Sequence, residues 1–319
     1  MPNELLKKVE ELLPEGSGLE KVEVEGPDIV IYINNPEKFY EGENPVKNIA
    51  STLRKKIVVR CAKLIDASEA KEKIEGMIPK DAGVSNIRFC PEFHEVWIEA
   101  IKPGLVIGKE GSILKSIITQ TGWTPKVLRT PTLPSEVEKG LRSSLLKEAD
   151  SRKKFLSKTG KRIFRTVEKP GWVKVVALGG FREVGRSCML LETMNDKILI
   201  DCGINPDTTD PKTAYPYLSA ANISMDDIDA VVLSHAHLDH CGFVPYLFAY
   251  GYEGPVYCTP PTRDLMALLC FDYIKVMKKT GQTPIYGEKD VRKAVAHCIT
   301  RSYGEVTDIT PDVKLTLHN

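Results

Sequence analysis

The sequence predicts a chain of mixed α/β and α+β class, in which two small repeated α+β units precede a larger α/β unit. The repeat is the first observation, because one order of helix, strand, strand, glycine loop, helix and strand occurs twice, with a period of roughly 65 residues. The second observation is a change after residue 170 to short strands that alternate with turns and helices. A hydrophobic fraction of 42% and a charged fraction of 27% are typical of globular domains with buried cores.

The first copy of the repeat begins with a helix over residues 4–13, whose apolar side chains recur at helical spacing until Pro14 ends it. Two strands follow, near residues 22–24 and 29–33, where apolar residues alternate as in a half-buried sheet. The copy closes with a glycine loop at 42–45, a helix over 46–54 and a strand over 57–59.

The second copy repeats this order. A helix over residues 68–78 ends at Pro79, and strands are predicted near residues 87–89 and 96–98. A longer glycine loop at 103–112, a helix through Ile113, Ile117 and Ile118, and a strand over 126–129 complete the copy. The order of elements therefore predicts two small domains of one kind.

The second glycine loop carries a nucleic-acid signature, Gly108-Lys109-Glu110-Gly111, directly before a helix. The glycines let the backbone pass close to phosphates, and the helix N-terminus offers free N–H groups and the positive end of its dipole. A single Gly-x-x-Gly match usually marks an ordinary turn, but here it follows two strands and lies within a repeat. It resembles the loop of KH domains, whose groove takes about four unstacked nucleotides. We therefore predict that Gly108, Lys109 and Gly111 bind single-stranded RNA.

The first glycine loop departs from this pattern. It reads Gly42-Glu43-Asn44-Pro45, and Pro45 removes a backbone donor while Glu41 and Glu43 repel phosphate. We expect this copy to be a poorer RNA site.

A basic segment, residues 139–169, contains eleven Lys and Arg residues against three acidic ones. Charge runs of this kind are usually solvated linker helices. Because this one follows a KH-like loop, we predict that Lys153, Lys154 and Arg162 help to hold a polyanion, together with Lys161 and Arg165.

The third unit carries the clearest chemical motif, His235-Ala236-His237-Leu238-Asp239-His240, at the end of the apolar strand 231–233. Imidazole and carboxylate groups are ligands that suit Zn²⁺. His235 and His237 can reach one cation, and Asp239 and His240 can reach a second one. Unpaired polar groups at this density would cost stability in an apolar surrounding, which favours a metal site over a structural role.

The metal motif, together with Ile200-Asp201-Cys202-Gly203, resembles the metallo-β-lactamase superfamily over residues 172–319. In that superfamily an aspartate matching Asp201 orients the metal loop. The glycine-rich segment 178–187 resembles the nucleic-acid-processing β-CASP branch. With two KH-like units in front, the whole chain is similar to archaeal homologues of the cleavage and polyadenylation specificity factor endonuclease.

The resemblance implies two N-terminal KH-like α+β domains followed by the first half of a metallo-β-lactamase αββα sandwich. The predicted segments are a KH-like domain at 1–66, a KH domain at 67–138, a basic helical linker at 139–170 and the N-terminal part of the lactamase domain at 171–319.

The resemblance also implies a zinc-dependent ribonuclease with endonuclease and exonuclease activity, which cleaves single-stranded RNA in 3′-end formation or transcription termination. Two zinc ions would supply the hydroxide that attacks the phosphodiester. The implied metal ligands are His235, His237, Asp239 and His240, and the implied catalytic residues are Asp239 and Asp201. The implied partners are RNA polymerase or the transcription machinery, and a second copy of the complete protein.

Several family ligands have no counterpart here, including the histidine of an Ala-Gly-His motif. We therefore expect a fragment that binds RNA without cleaving it efficiently. The main alternative is a non-catalytic RNA-binding or regulatory protein with a vestigial metal loop. A thioester or lactam hydrolase is a third reading, and the glycine loop and basic segment argue against it. Weak, substoichiometric zinc would indicate partial ligation, whereas the complete protein should hold two zinc ions per chain.

The cellular setting is also predicted from composition. The eight cysteines lack Cys-x-x-Cys spacing, which indicates reduced thiols. No signal peptide and no apolar run of about 18–20 residues is present. These features predict a cytoplasmic protein without a membrane partner.

Overall fold

The structure is a computed structural model that describes residues 3–41, 45–133, 135–168, 171–208 and 210–319, with backbone only at 3–6. Internal contacts divide the chain into two compact units. The first contains residues 1–136 and 146–161, and the second contains residues 137–145 and 162–319.

The first copy of the repeat folds around a three-stranded sheet of order β1-β2-β3. β1 and β2 are antiparallel, β2 and β3 are parallel, and the central strand β2 is almost wholly buried. Its predicted glycine loop, Gly42-Glu43-Asn44, lies outside the described residues. The elements are α1 (Asn3–Leu12), β1 (Leu19–Glu25), β2 (Asp28–Ile33), α2 (Pro36–Phe39), α3 (Pro45–Leu53) and β3 (Ile57–Cys61).

The second copy repeats this topology, with a sheet of order β4-β5-β6 in which β4 and β5 are antiparallel and β5 and β6 parallel. Its core contains Ile74, Val96, Ile98, Ile117 and Trp123. The predicted α+β repeat is therefore confirmed. The elements are α4 (Ala67–Met77), β4 (Val84–Cys90), β5 (Glu95–Ala100), α5 (Pro103–Ile107), α6 (Ser112–Thr121) and β6 (Thr124–Arg129).

The basic segment forms two helices, α7 (Glu136–Lys147) and α8 (Ala149–Ile163). Leu141 of α7 belongs to the core of the second unit. In the first unit, a Cβ at Gly160 of α8 would lie 2.8 Å from Val24 Cγ2, so the backbone of α8 packs directly on β1. The segment is thus part of the folded units, whereas the predicted boundaries at residues 66, 138 and 170 stay predictions.

The second unit contains a six-stranded sheet of order β12-β11-β10-β9-β8-β7. β7, β8 and β9 are antiparallel neighbours, and β9 to β12 are parallel. The elements up to β10 are β7 (Val173–Gly179), β8 (Cys188–Thr193), β9 (Lys197–Ile200), α9 (Pro211–Ala214) and β10 (Ala230–Val232). The others are α10 (Leu238–Cys241), α11 (Val244–Ala249), β11 (Val256–Cys258), α12 (Pro260–Lys279), α13 (Glu288–Ala296), β12 (Cys298–Thr300), β13 (Thr307–Asp308) and β14 (Lys314–Leu315).

The core of the second unit lies on one face of this sheet, where Leu190, Leu199 and Val231 pack with residues of the helices, such as Met266 and Val291. All eight cysteines of the chain are buried, and none of them is in a disulfide bond in this structure. Within the described residues, no helix combines the length and apolar character needed to cross a membrane.

The parallel pairing of β9 and β10 positions the candidate site. Ile200 pairs with Val232, so Asp201 and the segment after Val232 leave the sheet at the same edge. Carboxyl ends of parallel strands are where α/β sheets bind their ligands.

Candidate functional site

The side chain of Asp201 organises the start of the metal loop, which comprises residues 234–240. Its Oδ1 accepts a hydrogen bond from the Ser234 backbone N–H (2.8 Å), and its Oδ2 accepts one from Ser234 Oγ (2.8 Å). Oδ2 also lies 2.8 Å from Nδ1 of His240. Asp201 is only 5% exposed, and its φ of 57° lies in the left-handed region. Non-glycine residues in that region cluster at functional sites.

The imidazoles of the metal loop lie close together. The ring centroids of His235 and His240 are 4.0 Å apart, and those of His235 and His237 are 4.8 Å apart. Nε2 of His240 is 3.5 Å from Oδ2 of Asp239. Because Asp201 engages Nδ1 of His240, Nε2 is the nitrogen left for a ligand on the side of Asp239.

The electrostatics of His235 favour the neutral imidazole that a metal requires. Burial lowers the pKa of His235 below its ordinary value, and the neighbouring His240 and His237 lower it further, against the opposing effect of Asp201.

The residue types fit a divalent metal. Metal-ligating histidines commonly donate the N–H of their second nitrogen to a carboxylate, and Nδ1 of His240 faces Oδ2 of Asp201 in this way. The geometry fits in part. Across the described ranges, no group of three or more His, Cys, Asp or Glu side chains is arranged to hold a metal ion. The structure thus brings the predicted ligands His235, His237, Asp239 and His240 close together, but not in an arrangement that encloses a metal ion. We call this arrangement an open donor set.

The backbone around the metal loop is packed closely against Gly203. A Cβ at Gly203 would lie 1.8 Å from the Asp239 carbonyl oxygen and 2.5 Å from the backbone nitrogen of His240. On either side of this approach, Cys202 N–H donates to His240 O (2.7 Å) and Ile204 N–H donates to Leu238 O (2.9 Å). Gly203 therefore sets the position of the metal loop, a role that sequence reasoning missed.

The glycine-rich segment 178–187 supports the metal loop from a second side. The Ser187 N–H donates to Asp239 O at 2.8 Å. Arg186, 5% exposed, donates to both carboxylate oxygens of Glu183 and to the carbonyl oxygens of Lys212 and Tyr215. Sequence reasoning recognised this segment by resemblance but did not find the role of Arg186. The sequence signal for this role was an arginine inside a glycine-rich turn.

The second glycine loop has the strained backbone that its sequence requires. Gly108, Glu110 and Gly111 have φ values of 74°, 53° and 77°. A Cβ at Gly108 would lie 2.8 Å from Ser112 Oγ, whereas one at Gly111 would meet open space. α6 begins at Ser112 without a side-chain cap, and Lys109 is exposed beside it. The Ser112 N–H donates to Lys109 O, so an anion would contact the following N–H groups of α6 and the Lys109 side chain.

The basic residues predicted to bind RNA have different surroundings. Lys153 Nζ donates to Glu92 O at 2.7 Å, inside the first unit. Arg162 pairs with Asp229 at 2.6 Å, and Lys154 pairs with Asp150 at 2.7 Å while staying 77% exposed. Lys153 and Arg162 therefore have structural partners, and a role of these residues in RNA binding stays a prediction.

Comparisons with known proteins match two parts of the chain to described families. Residues 1–65 match the KH domain of transcription termination factor FttA, and residues 182–265 match the metallo-β-lactamase superfamily.

Curated relatives match the chain along its length. Proteins named transcription termination factor FttA are 48% identical over all of this chain in Methanothermobacter thermautotrophicus, 47% over 99% in Methanosarcina mazei and 44% over 99% in Thermococcus kodakarensis. The matches cover 51%, 50% and 51% of those proteins. The chain spans about half the length of the curated relatives it matches.

Proposed function

We propose that the chain is part of a zinc-dependent ribonuclease. Two of its segments match KH and metallo-β-lactamase families, and the whole chain is similar to archaeal proteins named transcription termination factor FttA. Its substrate would be single-stranded RNA, cleaved during 3′-end formation or transcription termination. We place the complete protein in the cytoplasm, as a homodimer that works with RNA polymerase or the transcription machinery.

The observation that carries the proposal is the contact between Asp201 and His240 beside the clustered rings of His235 and His237. His235, His237, Asp239 and His240 would hold zinc. When bound, the metal makes water a nucleophile near neutral pH and offsets the negative charge that develops on the phosphoryl group.

Three features of the chain itself would prepare this site. Asp201 fixes the ring of His240, with its Nε2 directed to the side of Asp239. The low pKa of His235, which burial and its imidazole neighbours cause, keeps that ring neutral and able to bind. Gly203 lets the backbone that carries Asp239 and His240 lie directly on the sheet edge.

RNA would be held by the second glycine loop. The N–H groups at the start of α6 and the exposed Lys109 suit a phosphate backbone, and the positive φ values of Gly108 and Gly111 keep the loop open to it. Apolar side chains lie beside the loop, where Leu105 is 39% exposed and Ile107 is 38% exposed, and such surfaces suit unstacked bases.

We propose that this chain, taken alone, binds RNA but does not cleave it efficiently, because its donor set is open. The same observation favours the alternative, a non-catalytic RNA-binding or regulatory protein. Zinc content separates the two proposals.

The test measures zinc per chain after dialysis, together with binding and cleavage of a labelled single-stranded RNA. We expect substoichiometric zinc that is lost in Asp239→Ala, while RNA affinity is retained. Robust zinc-dependent cleavage of RNA by the 319-residue chain would overturn the proposal that its metal site is incomplete. A parent chain that binds RNA and retains no zinc, or that retains zinc which Asp239→Ala leaves unchanged, would support the non-catalytic alternative.

A further inference from the structure

A cavity of about 310 Å³ lies in the second unit, between the loop after β9 and the helix α12. The loop contributes Asn205, Thr208 and Tyr215, and the helix and the residues after it contribute Tyr273, Met277 and Gln282. We propose that this cavity binds one nucleobase of the single-stranded RNA, beside the metal loop. The inference rests on the proposed function and assigns a second RNA contact, separate from the glycine loop.

The size of the cavity suits a single base. Small-molecule sites occupy roughly 300–1,000 Å³, so this cavity lies at the lower end of the range. It has room for a planar heterocycle with part of its ribose and is too small for several nucleotides.

The walls of the cavity have the chemistry that recognises a base. Tyr215 and Tyr273 provide aromatic surfaces, and proteins bind unpaired bases by stacking on such rings. Both rings are braced by aromatic neighbours. The centroid of Tyr215 is 5.3 Å from that of Phe243, and the centroid of Tyr273 is 5.5 Å from that of Tyr286. A braced ring loses little conformational entropy when a base stacks on it.

The polar lining is neutral. Asn205 and Gln282 carry amides, and Thr208 carries a hydroxyl, so the cavity offers both donors and acceptors to the edge of a base. Among the described residues that line it, none is charged. This favours an uncharged base as the occupant over a phosphate group, which recruits Arg or Lys.

Three consecutive residues, 203–205, connect the lining of the cavity to the backbone that contacts the metal loop. Gly203 lies against Asp239 and His240, and Ile204 donates its N–H to Leu238 O at 2.9 Å. Ile204 and Asn205 both line the cavity. We infer that a base held here would bring its own backbone toward the metal loop, where a phosphodiester would have to lie to be cleaved.

The experiment uses a single-stranded RNA that carries 5-iodouridine, which crosslinks to aromatic side chains under long-wavelength light. The crosslinked peptides of the 319-residue chain are mapped by mass spectrometry, and RNA affinity is measured in parallel. We expect a crosslink at Tyr215 or Tyr273. Tyr273→Ala should abolish or move it and weaken binding about fivefold or more, since it removes one stacking surface. Tyr273→Phe, which keeps the ring, should behave as the parent.

Two further variants keep the test decisive. Met277→Trp fills the cavity without removing either tyrosine, and it should abolish the crosslink to Tyr215 and Tyr273 and weaken binding as Tyr273→Ala does. Tyr250→Ala is the matched control, because Tyr250 is 63% exposed, stacks on Tyr246 at 4.3 Å and does not line the cavity. The control should crosslink as the parent does.

The outcomes separate the two levels of the proposal. If crosslinks lie only near the glycine loop, and the variants at Tyr273 and Met277 bind RNA like the parent, the cavity proposal is overturned while the RNA-binding function stands. If the parent chain binds no RNA, both are overturned.

Discussion

Oδ2 of Asp201 lies 2.8 Å from Nδ1 of His240, although the two residues are separated by 39 positions in the sequence. Asp201 is the first residue after β9, and His240 lies in α10. A carboxylate in this position fixes the ring orientation of a ligating histidine and makes its other nitrogen more basic. The contact therefore ties the strand end to the metal loop.

Asp201→Asn should weaken zinc binding by about 10–100-fold, the usual effect of changing a residue that orients a metal ligand. The amide can donate to Nδ1 of His240, and the ring proton then sits on Nε2, which cannot bind metal. Asparagine tolerates the positive φ at this position, so the fold should be retained.

Zinc affinity is measured by competition with a chromophoric chelator. The control is Asp226→Asn, an exposed carboxylate outside the metal loop. If both variants bind zinc like the parent, Asp201 does not position the ligand set.

Gly203→Ala should lower the free energy of unfolding by at least about 1–3 kcal/mol, because a Cβ there has no space beside the carbonyl oxygen of Asp239, 1.8 Å away. The backbone must move to accept it, so zinc retention should fall as well. Urea denaturation of the second unit and zinc content measure the two effects.

The matched control for this variant is Gly140→Ala in α7, where a Cβ meets no atom within 4 Å. Alanine in a helix should raise stability by about 0.5–1 kcal/mol relative to glycine. Equal stability losses in both variants would contradict the role of Gly203.

The repeated α+β order could be predicted from the sequence because its signals are local. Apolar alternation gives the strands, and Pro14 and Pro79 end the first helix of each copy. The metal loop could be recognised for the same reason, since its predicted ligands lie within six consecutive residues.

The supporting contacts could not be predicted, because they join residues that are distant in sequence. Nothing near Gly203 indicates that Asp239 passes within contact distance of it. The charge run at 139–169 likewise gave no sign that Lys153 donates to the backbone of Glu92. Local sequence reveals residue chemistry, whereas the partner of each residue depends on tertiary packing.

Arg60→Met should lower the free energy of unfolding of the first unit by about 3–5 kcal/mol. Arg60 is 2% exposed, and its guanidinium contacts both carboxylate oxygens of Glu25 at 2.5 and 2.8 Å. Removing the cation leaves a buried carboxylate without its main partner. Urea denaturation at neutral pH measures the loss.

A double variant isolates the cause. Arg60→Met combined with Glu25→Leu removes both charges, so it should recover most of the lost stability. A double variant as unstable as the sum of the two single variants would show that the pair is not coupled.

Lys109→Glu should weaken binding of single-stranded RNA and reduce the slope of log affinity against log salt by about one, because one phosphate contact is lost. It is a cleaner test than Gly108→Asp, whose Cβ would lie 2.8 Å from Ser112 Oγ and disturb the start of α6. Gly111→Asp has open space, but its φ of 77° strains any side chain. Zinc content should not change in any of these variants, because the metal loop lies in the other unit.

The control, Lys289→Glu, makes the same charge change at an exposed position of α13 and should bind RNA like the parent. Equal weakening by both lysine variants would indicate that overall charge, and not the glycine loop, governs RNA binding.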